Sequence, residues 1–62
     1  MSAAVKVLVV DDEEDILELL EYNLQKEGYE VVKARNGKEA IDVAIKEVPE
    51  IILLDIMMPL MD

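Results

Sequence analysis

Two apolar runs in this sequence end on acids. VKVLVV, residues 5–10, runs into Asp11-Asp12, and IILL, residues 51–54, runs into Asp55. Three carboxylates brought to one place repel one another unless a cation sits between them. Oxygen donors of this kind suit a hard divalent ion such as Mg²⁺, which keeps several of its waters. An aspartate can also act as a nucleophile and carry a phosphoryl group. Carboxylates plus a divalent cation are most of what phosphoryl transfer needs, because that chemistry is mainly positioning and charge neutralisation. Taken singly, each acid has an ordinary explanation. Asp11 and Asp12 are also good helix-start residues, and Asp55 is a good turn initiator. Met57, Met58 and Met61 read as apolar filler, and Pro59 as a loop proline.

Other chemistries are excluded by composition. The 62 residues contain neither cysteine nor histidine. That removes disulfides, thiolate and imidazole metal sites, cysteine nucleophiles and Ser-His-Asp catalysis. Fifteen acids against six bases give a net charge of -9, which argues against nucleic-acid backbones and anionic membranes as partners. Yet 53% of residues are hydrophobic and the mean hydropathy is +0.21, so this is not a disordered acidic tail. No apolar stretch approaches a membrane span. MSAAVKVLVV runs into the acids without a small-residue cleavage site, so no signal peptide is expected, and a cytoplasmic location is.

The elements that would position the acids emerge from pattern. Val5 to Val10 reads as a strand buried on both faces. The acids from Asp12 to Asp15 favour a helix N-terminus. Ile16, Leu17, Leu20 and Leu24 then form a helical stripe with Leu19 on its shoulder, and Glu27-Gly28 stops the helix. Tyr29 to Ala34 is a second strand with polar ends, suited to an edge. Asn36 with Glu39 has capping-box character. Ala40, Ile41, Ala44 and Val48 form the expected buried stripe of a second helix, flanked by Val43 and Ile45, and Val48-Pro49 ends it. Ile51 to Leu54 is a third strand.

The order βαβαβ, with helical crossovers, implies parallel strands and right-handed connections. With the first strand in the middle, the spatial order is 2-1-3 and the helices lie on opposite faces. Strands one and three become neighbours where the winding reverses, and ligands of open α/β sheets bind beyond the carboxyl ends there. Asp11, Asp12 and Asp55 are expected to converge at that point.

Three segments now carry a resemblance: LVVDDEEDILELL, GYEVVKARNGKEAI and PEIILLDIMMPLMD. In order and spacing they resemble the first half of a receiver domain of two-component response regulators. They are especially similar to receivers of winged-helix transcription-factor regulators. The resemblance implies a flavodoxin-like, doubly wound α/β fold. It implies that Asp55 is the phosphoacceptor, taking a phosphoryl group from a sensor-kinase phosphohistidine in a Mg²⁺-dependent reaction, rather than an enzyme's catalytic base. Asp12 matches a direct metal ligand, Asp11 its acidic partner, and Met57 the residue whose backbone carbonyl completes the protein ligands. Pro59 matches the residue shaping the loop after the acceptor. An aspartate-nucleophile phosphatase is disfavoured, because its Asp-x-Asp spacing is absent.

Receivers of this family run to roughly twice this length. The hydroxyl residue expected on a fourth strand, and the lysine and switch aromatic expected on a fifth, are not among these 62 residues. The sequence therefore reads as a truncated or designed half-domain. On that reading the third strand becomes a bare edge, and self-association into a homodimer, by edge pairing or element exchange, is the expected way to complete the fold. A purely structural, self-assembling fragment with no retained activity is the alternative.

Overall fold

The computed structural model describes residues 4–54. Within them lie β1 (Lys6–Val10), α1 (Glu14–Lys26), β2 (Glu30–Ala34), α2 (Gly37–Glu47) and β3 (Ile51–Leu54). The strands form one parallel sheet in the order β2-β1-β3, as the sequence pattern implies.

β1 is the centre of the molecule because its residues are apolar on both faces. Val7, Val9 and Leu17 pack together on the α1 side, joined by Val5, Leu20, Leu24 and Val31. Leu8, Val10 and Ala34 pack on the α2 side, joined by Val32, Ala40, Val43 and Ala44. The helices therefore cover opposite faces. Each covers β1 and β2, and neither packs on β3.

The helix ends show how local sequence fixes the chain path. α1 closes with Gly28 at φ +96. The Gly28 N–H donates to the Gln25 carbonyl and the Tyr29 N–H to the Leu24 carbonyl, a Schellman arrangement that glycine permits without a steric penalty. At the start of α2 the Asn36 side chain accepts from the Glu39 N–H at 2.9 Å. The Glu39 carboxylate returns to the Arg35 N–H, also at 2.9 Å. This is one residue before the cap position of the expected capping box. α2 ends at Val48, with φ 49 and ψ 62. A proline comes next, and the residue before proline is driven out of the right-handed helical region.

One expectation about α2 is corrected. Ile41 and Val48, assigned to its buried stripe, are 62% and 73% exposed. The helix beds on Ala40, Val43 and Ala44 instead. Small residues let α2 approach the sheet closely, and the larger ones are displaced to its flank. On α1, Leu17 is buried, Leu20 and Leu24 pack against it, and Leu19 is exposed.

The other end of the sheet is tied by Lys6. Its Nζ lies 2.9 Å from Glu47 Oε1 and 3.9 Å from Glu30 Oε2, and it donates to the Glu47 carbonyl in the last turn of α2. A cation suits a helix C-terminus.

Candidate site at the carboxyl ends of the strands

Val10 is in register with Ala34 on one side and Leu54 on the other. The three strands therefore finish level at one end of the sheet. β1 runs on into Asp11. Its N–H donates to the Ala34 carbonyl at 3.1 Å, which extends the β1–β2 ladder one residue past the strand. Its Oδ1 accepts from the Glu13 N–H at 2.8 Å. The aspartate thus holds the turn that leads into α1, and its side chain is drawn inward, leaving it 7% exposed.

Asp12 is exposed at the same turn. Glu14 and Asp15 occupy the first turn of α1, whose backbone dipole favours negative charge. Glu13 serves as N-cap without a side-chain cap bond, so it is the Asp11 carboxylate that organises the helix entry. Arg35, just beyond β2, reaches Glu14 with 3.5 Å between its Nη2 and Oε2. Both side chains are more than half exposed, so this pair adds little to stability. The acid-rich turn and the end of β2 are nevertheless linked.

Of the expected site residues, the fold brings Asp11 and Asp12 to the carboxyl end of the sheet, where β1 leads into α1. Asp55 and Met57 lie outside the described residues. The two described carboxylates are hard oxygen donors of the type a divalent cation takes. Among the described residues no group of three or more acidic, histidine or cysteine side chains is placed to hold a metal ion. Sequence reasoning missed Arg35. The available signal was its position directly after β2, at the same end of the sheet as the acids.

Comparison with known proteins is decisive here. The model of the response regulator receiver domain matches residues 7–62. This chain belongs to the response regulator receiver family. It is similar to the alkaline phosphatase synthesis transcriptional regulatory protein PhoP of Bacillus subtilis (strain 168), with 53% identity over 57 residues. That match covers 92% of this chain and 24% of PhoP. Among solved structures it is similar to the chemotaxis response regulator CheY4 of Vibrio cholerae, at a TM-score of 0.83 and 41% identity, covering 95% of this receiver chain and 49% of CheY4. A second CheY4 structure, crystallised at pH 4.0, gives a TM-score of 0.84 and 42% identity. The chain thus spans about half the length of CheY4 and about a quarter of PhoP. The half-fold of three parallel strands and two helices is that of the receiver.

Proposed function

We propose that this receiver chain is a phosphoacceptor. Asp55 takes a phosphoryl group from a phosphohistidine of a sensor kinase, and Asp11, Asp12, Asp55 and the Met57 backbone carbonyl hold Mg²⁺. The observation that carries this reading is register. Leu54 pairs with Val10, and the next residues in sequence are Asp55 and Asp11 respectively. Asp55 and the buried Asp11 are thus the residues next in sequence to a registered pair, which supports assigning both to one site.

In the transfer a carboxylate oxygen of Asp55 bonds to phosphorus while the P–N bond breaks. The electron pair goes to the imidazole nitrogen, which then takes up a proton. Receivers generally use Mg²⁺ in phosphorylation, and the bound ion would supply neutralising charge. The Asp11 carboxylate has one oxygen bonded to the Glu13 N–H, which fixes its orientation at the end of β1. The chain is consumed as acceptor rather than acting as an enzyme. Its context is cytoplasmic, with an output of the winged-helix transcription-factor class; no helix among the described residues is long and apolar enough to cross a membrane. The charge of -9 disfavours nucleic acid as a direct ligand of this piece.

Phosphoramidate with Mg²⁺ tests the reading. A gain of one phosphoryl mass, labile to hydroxylamine and absent from Asp55→Asn, is the expected result. A folded chain that takes up no phosphoryl group under these conditions overturns it and favours the purely structural alternative.

A second reading rests on β3. All of its side chains are exposed, and among the described residues neither α1 nor α2 packs on it. Self-association of two copies through that strand is accordingly also proposed.

A further inference from the structure

Five consecutive acids, Asp11, Asp12, Glu13, Glu14 and Asp15, occupy the turn where β1 leads into α1. A phosphoryl donor is an anion and is repelled by this field, whereas a cation is drawn into it. A positive charge set against these acids therefore acts on both. Of the six bases in the chain, Lys6 lies at the amino end of β1, held to Glu47 and Glu30. Lys26 and Lys46 lie in the last turns of their helices. Lys33 is paired with Glu21 at 3.0 Å. Lys38 stands in the first turn of α2, which covers the opposite face from α1. Arg35 is the base that reaches the acid-rich turn, through its contact with Glu14.

The backbone fixes Arg35 there from two sides. On one side the preceding residue, Ala34, accepts the Asp11 N–H at 3.1 Å. On the other the Arg35 N–H donates to Glu39 Oε1 at 2.9 Å, and the Glu39 N–H is itself held by the Asn36 cap. The root of the side chain thus sits at the sheet end, one strand spacing from β1 and two from β3, or about 5 and 10 Å. The guanidinium keeps its charge at any working pH. Its pair with Glu14 is open to solvent, so the charge acts on the local field far more than on stability.

From this, and resting on the phosphoacceptor reading above, we infer that Arg35 is a positioning residue for anionic phosphoryl donors. Its charge opposes the acids of the β1–α1 turn, which eases the approach of the donor and holds Mg²⁺ affinity down. The two effects have opposite signs, and distance sets their size. A unit charge about 10 Å from another in water changes a rate or an affinity roughly 2-fold, and acts on a doubly charged ion roughly 4-fold. Both effects shrink as salt shortens the screening length, from about 30 Å at 0.01 M to about 3 Å at 1 M. A role in packing alone would depend on neither donor charge nor salt.

Two small donors of different charge test this in the full chain. Phosphoramidate is a monoanion near neutral pH and acetyl phosphate is a dianion. As an Asp55 oxygen bonds to phosphorus, the first loses ammonia through its P–N bond and the second loses acetate through its P–O bond, each leaving group keeping the bonding pair. At low salt with Mg²⁺, Arg35→Gln should slow phosphoramidate roughly 2-fold and acetyl phosphate roughly 4-fold, shifting the ratio of the two rates about 2-fold. That ratio does not depend on how much of the chain is folded or loaded with Mg²⁺. Arg35→Lys should restore it, Glu14→Gln should move it the other way, and about 1 M salt should abolish the shift. Calorimetric titration with Mg²⁺ alone should show Arg35→Gln binding roughly 4-fold tighter than the parent at low salt. An unchanged ratio, a shift that persists at high salt, or an unchanged Mg²⁺ affinity overturns the role of Arg35 and leaves the phosphoacceptor reading standing. A folded parent chain that takes up a phosphoryl group from neither donor overturns both.

Discussion

Val48 is the residue at which this chain conflicts with its own backbone, and relieving the conflict should stabilise it. Its φ of 49 and ψ of 62 lie in the left-handed region, which costs an L-residue about 1–2 kcal/mol and is an outlier for a β-branched one. Its N–H bonds the Ala44 carbonyl at 2.9 Å, so the conformation serves the helix end and not the side chain. Because Val48 is 73% exposed, replacing it forfeits only about a quarter of a valine's burial, roughly 0.4 kcal/mol. Asparagine enters the left-handed region far more readily. Val48→Asn should therefore gain about 0.5–1.5 kcal/mol. Val48→Gly escapes the clash as well but adds ~0.5–1 kcal/mol of unfolded-chain entropy, so it should gain less. Urea unfolding monitored by circular dichroism reads both. In a chain this short 1 kcal/mol moves Tm by roughly 4–8 °C. All variants should be compared at one low concentration, since association makes Tm concentration-dependent. If Val48→Asn leaves stability unchanged or lowers it with helix content intact, the assigned strain does not exist.

Other expectations rest on the same physics. Leu17→Ala removes the buried anchor of α1 and should cost ~2–5 kcal/mol, enough to unfold most of the population of a marginal chain by urea titration or circular dichroism. Asn36→Ala loses the bond to the Glu39 N–H and should cost about 1 kcal/mol, read from the urea midpoint. Lys6 and Lys33 are held above the ordinary lysine value of 10.5, chiefly by hydrogen bonds to Glu47 and Glu21. A raised folded-state value favours folding while the amine is protonated. That contribution is complete below the unfolded value and disappears as pH climbs through the folded one, so the urea midpoint should fall on the alkaline side and fall less in a Lys6→Met/Lys33→Met variant. With Mg²⁺ at ten times a dissociation constant of ~1 mM, binding should add about 1.4 kcal/mol to the parent chain and markedly less to Asp11→Asn or Asp12→Asn.

The sheet was legible in the sequence because its signals are redundant. Val7 to Val10 and Ile51 to Leu54 are apolar on alternate and intervening positions alike, and Gly28 and Asn36 bracket β2. The crossover rule then fixes the hand of the connections, and the polar ends of β2 mark it as an edge. α2 was harder to read. Ala40, Ile41, Val43, Ala44, Ile45 and Val48 span more of the helix than one sheet face covers. Periodicity reports which sector is apolar but not which part of it meets a neighbour. Close approach through Ala40 and Ala44 decided that, and it moved Ile41 and Val48 to the flank. At the site, the position of Asp11 could be read from the strand end. That its carboxylate would hold the Glu13 N–H could not, because Asp11 lies before the helix and acts across the turn. The partnership of Arg35 with Glu14 joins elements separated by the whole of α1 and β2, and no local pattern announces it.

The middle place of β1 also governs when the fold can form. β1 is made first, yet its β3 neighbour is more than forty residues later; the bond between Lys6 and Glu50 closes a separation of 44. On the ribosome, β1, α1, β2 and α2 emerge as a unit whose central strand is paired on one side only. Until Ile51–Leu54 clear the exit tunnel, the groups of Lys6, Leu8 and Val10 that face β3 have no strand to bond. Nascent chains paused before that point would offer the most deeply buried strand of the fold to any neighbour, a hazard that chaperone capture or rapid translation of the third strand would relieve.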